Sequence, residues 1–243
     1  MTSSGGLDAG RVVVVGVGGA TNSGKTTLAK RLLSMLPAGR GIMVHQDDFA
    51  LPESELPWNE KAQARDWDHP VGTIDYERLD RTVQYIEAHR SLPPDHASHD
   101  HLNASSTAPP LSPASRGDGG PLASRLAALL AADDGLTLAI LDGFLLYFSP
   151  RVHAHIDVRL FLRVPRHTLE ERRHRREGYA TAEGTVWQDP PGYFDDVVWP
   201  AYVLAHEQMF SGQDVECGDV VKVDKDSNEQ GAPISNLILL EAD

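Results

Sequence analysis

The chain has 243 residues, with 35 acidic side chains against 22 basic ones and a net charge of −13. That balance argues against nonspecific binding to nucleic acid or to an anionic membrane, and the single cysteine, Cys217, excludes a disulfide framework. The length suits one α/β domain, read here as a single unit over residues 1–243, with a core large enough to need no staples. The longest apolar run, near Leu136–Phe148, is interrupted by Asp142, so no bilayer span is expected. Met1–Gly10 is rich in Gly and Ser and lacks a basic start and an apolar stretch, so it reads as a loose tail rather than a signal. These features point to a soluble cytoplasmic protein, with the nucleus also open to it.

Val12–Val17 is a short β-branched run, as expected of a strand buried on both faces of a parallel sheet. It leads into Gly19, Ala20, Thr21, Asn22, Ser23, Gly24, Lys25, Thr26 and Thr27, which match the pattern G-x-x-x-x-G-K-[ST] in its strand–loop–helix setting. Glycines let the backbone curl so that its N–H groups converge on a phosphate, and the following helix adds its positive end. Lys25 is expected at the outer phosphates and the Thr26 hydroxyl on Mg²⁺. A plain Gly-rich turn would leave Lys25 and Thr26 unexplained. Thr26–Leu36 carries apolar residues at helical spacing and is stopped by Pro37.

Gly41–His45 reads as a second strand delivering Gln46, Asp47, Asp48 and Phe49 to its carboxyl end, where open α/β sheets bind ligands. Ala50–Thr73 has little periodicity but contains Trp58, Trp67, Asp68 and His69, so it reads as a binding loop. Asp75 caps a helix in which Leu79, Val83 and Ile86 share a face. Ser91–Pro121, rich in Pro and Ser, is expected to be a disordered or weakly ordered insert. The metal-ligand types in its stretch Asp95–His101 lack a preorganised frame.

Helical periodicity resumes over Leu122–Ala132, and Leu136–Leu141 is a third strand closed by Asp142. An acidic residue there suits either a second Mg²⁺ group or a helix cap. Val158–Val164 is a fourth strand. Six arginines follow between Arg163 and Arg176, some for a solvated helix face and two or three for phosphates. The stretch from about 172 to 191 reads as an Arg-rich lid, with Gly178 and Gly184 making it pliable. Val197–Phe210 is helical, Val220–Val223 a fifth strand and Ile234–Leu240 a terminal helix. The alternation predicts a three-layer α/β/α sandwich on a five-stranded parallel sheet. With the P-loop, the 50–73 loop as a second pocket, Asp47 as a base and the Arg-rich stretch as a lid, the chain reads as a P-loop NTPase of the nucleoside/nucleotide kinase type. A GTPase switch is disfavoured, because Val221-Lys222-Val223-Asp224 lacks the asparagine of a guanine-reading motif.

Taken together, the P-loop, Gln46-Asp47-Asp48-Phe49, Gly143-Phe144-Leu145-Leu146, Pro191-Gly192-Tyr193-Phe194-Asp195 and Val198-Trp199-Pro200 with Tyr202 resemble nicotinamide riboside kinases over about Val12–Met209. The resemblance implies ATP-dependent phosphorylation of the 5′-hydroxyl of nicotinamide riboside, and of nicotinic acid riboside as a further acceptor. ATP would be the co-substrate and Mg²⁺ the cofactor. No nucleic-acid or membrane partner is implied.

Asp47 corresponds to the family's catalytic carboxylate and acts with Lys25. Trp67 and Asp68 fall where an aromatic faces the pyridine ring and an acid holds the ribose. Asp48, Phe49, Arg172 and Tyr179 complete the implied acceptor site. Arg173 and Arg176 join the P-loop in binding ATP, and Mg²⁺ falls to Thr26, Asp47 and Asp142. Two departures stand out: Asp142 replaces the family's usual Glu, and Ala50 replaces a common aromatic. Asp68-His69-Pro70 also resembles uridine–cytidine kinases, which keeps pyrimidine nucleosides open as acceptors. A non-catalytic ATP-binding module is the reading from another class.

Overall fold

The structure is a computed structural model that describes residues 10–102, 120–176, 178–181 and 186–242. The expected tail thus lies outside the described residues except for Gly10, as does 103–119 of the insert.

Five strands form one parallel sheet: β1 (Val12–Gly19), β2 (Gly41–His45), β3 (Thr137–Gly143), β4 (Val158–Arg163) and β5 (Leu237–Glu241). Their spatial order is β2-β3-β1-β4-β5. The β1 run of valines is central, as its apolar character on both faces requires. Alternating residues feed two cores. On one face Val17, Ile140 and Leu162 pack against Ala29, Leu32 and Leu33 of helix α1 (Lys25–Ser34). On the other, Val14, Ala139, Leu141 and Phe161 meet α2 (Tyr76–His89), which buries Leu79, Val83 and Ile86 as its spacing predicts. Asp75 caps α2 by accepting the Arg78 N–H at 2.9 Å.

Helix α3 (Gly120–Ala132) forms, but of its leucines Leu130 is buried while Leu122 and Leu129 are exposed. Helices α4 (Pro150–His153), α5 (Arg166–His174) and α6 (Trp199–His206) follow, with a π-helical turn, Phe194–Val198, running into α6. Among the described residues no helix is long and apolar enough to cross a membrane.

The C-terminal expectations need correction. The predicted helix Ile234–Leu240 is largely the fifth strand, and Val220 makes a single antiparallel bridge to Phe210. Leu237–Leu240 is a short apolar run whose periodicity does not separate strand from helix, and the free edge of β4 supplies its hydrogen-bond partners. Arg163 on β4 reinforces that pairing by ion-pairing with Glu241 on β5.

Candidate active site

The P-loop bends where its glycines permit. Gly24 has φ +93° and a Cβ there would meet no atom within 4 Å, so conformation rather than crowding demands glycine. Asn22 also takes the left-handed conformation, with φ +58°. The turn closes through Ser23 N–H to Ala20 O at 3.2 Å, and Lys25 Nζ donates to Ala20 O at 3.4 Å. Helix α1 begins at Lys25, which leaves its first N–H groups free for an anion. Thr21, Asn22 and Gly24 to Thr27 line one cavity of about 290 Å³.

Asp47 lies in the same cavity, brought there by the 3₁₀ turn Gln46–Phe49 at the end of β2. It is exposed toward the cavity, yet protein surrounds it on the other sides. Burial pushes its carboxyl above the ordinary aspartate value, and Lys25 opposes that shift. Strand register places His45 of β2 opposite Asp142 of β3, and His45 Nδ1 sits 3.1 Å from Asp142 Oδ2. Burial works against a charge on His45, but the Asp142 hydrogen bond and charge, with Asp100 and Asp48, raise its pKa. Asp48 is buried and accepts the His99 N–H at 2.9 Å.

Phe49 does not reach the cavity. It is 1% exposed, stacks on His96 at 5.7 Å between centroids, and lies under the Arg78 guanidinium. The expectation that it touches substrate is therefore corrected: it is the core anchor of the turn that presents Asp47.

Trp67 and Asp68 line the cavity from the 50–73 loop. Arg173 of α5 is 5% exposed, and its Nε donates to Asp189 Oδ2 at 2.5 Å. Its Nη1 and Nη2 reach Asp68 Oδ1 and Oδ2 at 3.3 and 3.4 Å. Burial disfavours this charge, but Asp68 and Asp189 hold the guanidinium protonated above its usual value. Arg173 lines the cavity, so its placement agrees with the Arg-rich lid, while its contacts are with carboxylates.

Arg172 donates from Nη1 to Asn22 O at 3.3 Å, and Asn22 Nδ2 donates to the Tyr179 hydroxyl at 3.0 Å, which joins lid to P-loop. Arg176 stacks 4.0 Å from the Tyr179 centroid and also lines the cavity. Of the other three arginines in the run, Arg163 faces Glu241, Arg166 faces Asp195 and Arg175 faces Glu171.

The sequence reading missed Trp187, His45, His99 and Asp100. Trp187 comes from a two-residue antiparallel pairing of Tyr179–Ala180 with Val186–Trp187, and its ring stands 5.8 Å from that of Trp67.

No family model matches the chain. Among curated proteins it is 34% identical over 207 residues to the nicotinamide riboside kinase of Eremothecium gossypii, covering 84% of this chain and 80% of that one. It is 32% identical to that of Schizosaccharomyces pombe, covering 84% of both chains. It is also 34% identical to human nicotinamide riboside kinase 2, covering 81% of this chain and 69% of that one. The chain belongs to the nicotinamide riboside kinase family. A solved structure described as a possible uridine kinase from Bacillus stearothermophilus aligns with TM-score 0.45 and 17% identity, covering 81% of this chain and 83% of that one.

Asp142, which the resemblance assigns to Mg²⁺, is not among the residues that line the cavity. Asp142 is 4% exposed, and while Oδ2 meets His45, Oδ1 is buried with no hydrogen-bond partner. A buried bare carboxylate oxygen fits a cation or its bound water. Among the described residues no cluster of three or more His, Cys, Asp or Glu is present. His69 of the Asp68-His69-Pro70 triplet turns its Nδ1 to Val71 O at 2.9 Å and is not among the cavity-lining residues described.

Proposed function

We propose that the protein transfers the γ-phosphoryl group of ATP to the 5′-hydroxyl of nicotinamide riboside, giving nicotinamide mononucleotide for NAD salvage, and accepts nicotinic acid riboside as well. The observation that carries this reading is the shared cavity. Lys25, Thr26 and the P-loop amides line it together with Asp47, so donor and acceptor groups converge on one space.

The acceptor oxygen attacks the γ-phosphorus as the bond from that phosphorus to the β-γ bridging oxygen breaks. ADP leaves, and Asp47 receives the hydroxyl proton. Because the transition state is loose, holding the hydroxyl in line matters more than base strength. Burial nonetheless raises the Asp47 pKa in the direction that makes it a better proton acceptor. Mg²⁺ held by Thr26 with Asp142 and Asp47 would neutralise charge on the phosphate oxygens. Lys25, Arg172 and Arg176 supply cationic side chains around the same cavity. Trp67 and Trp187 offer π-faces to a cationic pyridinium. Asp68, held by Arg173, faces the ribose hydroxyls.

Steady-state assays with ATP, Mg²⁺ and a nucleoside panel test the reading. Nicotinamide riboside should give the highest kcat/KM, and uridine or cytidine exceeding it tenfold or more would refute the assignment.

A further inference from the structure

Residues 93–101 belong to the insert Ser91–Pro121, whose Pro- and Ser-rich composition predicts disorder or weak order. They are instead seated against the site. Lys30 of α1 pairs with Asp100 at 2.6 Å, with side chains 14% and 18% exposed. The His99 N–H is fixed on the Asp48 carboxylate at 2.9 Å, and His96 stacks on Phe49. These three attachments are to α1 and to the 3₁₀ turn that carries Asp47, so the segment is anchored to the catalytic frame at separate points. As a result, His99 and Asp100 line the cavity beside Asp47 and Asp48.

The imidazole of His99 has a direction. Its Nδ1 is buried, lacks a hydrogen-bond partner and faces Asp48 Oδ1 at 3.9 Å. The side chain is nevertheless 29% exposed and the residue lines the cavity, and Nε2 is the ring nitrogen that does not face Asp48. A ring fixed at its backbone, with one polar edge left in a cavity, is positioned to hydrogen-bond a ligand.

We infer that residues 93–101 form a fixed wall of the acceptor site, latched by Lys30–Asp100, and that His99 is a specificity residue presenting Nε2 to a hydroxyl or amide of the nucleoside. The inference rests on the proposed acceptor and adds a contact to that same site. Asp48 then acts as a positioning residue, holding His99 through the backbone.

The test compares His99→Ala, His99→Gln and Lys30→Met in the full chain. Kinetics are measured at varied nicotinamide riboside and at varied ATP, with thermal melts alongside. His99→Ala should raise the nucleoside KM by about 3- to 10-fold, the effect of one hydrogen bond, with the ATP KM unchanged. His99→Gln, which retains a side-chain donor and acceptor, should recover part of that loss. Lys30→Met, whose side chain is not among those lining the cavity, should raise the nucleoside KM in the same sense by freeing Asp100.

An unchanged nucleoside KM in His99→Ala, or equal increases in both KM values, overturns the inference. So does a His99→Gln variant no better than His99→Ala at equal melting temperature. If His99→Ala fails to fold, the Gln and Lys30 variants decide by the same split. Wild-type enzyme inactive on nicotinamide riboside would refute the proposed function instead, and the His99 comparison would then be read with whichever panel nucleoside the wild type phosphorylates.

Discussion

Replacing Arg173 by Met removes the cation that joins the lid to the acceptor loop. Asp68 and Asp189, with side chains 9% and 19% exposed, then face a site without their guanidinium. Breaking a buried pair from one side costs about 3–5 kcal/mol, because the remaining charge is stranded. Asp189 keeps the Trp187 Nε1–H at 3.0 Å, which places the expectation near the lower end, at about 3 kcal/mol. For a chain of this size that is a fall in Tm of roughly 6–12 °C. Differential scanning calorimetry of Arg173→Met and of Arg173→Met/Asp68→Asn reads it. The double variant removes the stranded charge and should regain at least about 1 kcal/mol relative to the single one. A single variant melting within 2 °C of the parent (about one kcal/mol at most), or a double variant no more stable than the single, would refute the argument.

Asp47→Asn should lower kcat by about 10²-fold or more, as expected for loss of a positioned general base, while ATP binding measured by calorimetry persists. Trp67→Leu should raise the KM for nicotinamide riboside by about 2- to 30-fold, the range spanned by a cation–π contact, and should leave the ATP KM alone. Buried His206 has its pKa lowered by desolvation to about 4 from 6.5. Its neutral form therefore supports the fold fully above pH 6.5, and that support is lost as pH falls toward 4. The loss reaches roughly 3 kcal/mol once both states are protonated. Thermal melts across that window should show a shallower acid limb in His206→Asn than in the parent, and parallel limbs would count against it.

What the sequence made legible is what local chain chemistry determines. The P-loop lies in one uninterrupted stretch, and its glycines, lysine and threonine each have a stereochemical reason to be where they are. The same holds for β1 to β4 and for the α2 face. Phe49 was misplaced because adjacency to Asp47 and Asp48 suggested a shared role, while the tight turn points it into the core. The His45–Asp142 contact depends on strand register between residues 97 positions apart, which no local pattern encodes. The wall at 93–101 was hidden for a similar reason. Its composition suggests weak order, but its anchors at Lys30, Asp48 and Phe49 are remote in sequence and visible only once the chain has folded. β5 escaped because four consecutive apolar residues do not specify a period.

On the proposed mechanism Asp47 takes the proton, and the distribution of charge around it agrees with that role. Asp68 is bound to Arg173, Asp100 to Lys30 and Asp142 to His45. Asp48 is buried and engaged by the His99 N–H. Each of these carboxylates helps hold an element: Asp68 the lid, Asp48 and Asp100 the wall at 93–101, and Asp142 the β2–β3 pair. Asp47 is exposed to the cavity, with Lys25 as the leading influence holding down a pKa that burial raises. A carboxylate whose pKa is raised and that takes part in none of these ion pairs is suited to accept a proton. On the proposed reading, the surrounding ion pairs position the frame and leave Asp47 to meet the sugar hydroxyl.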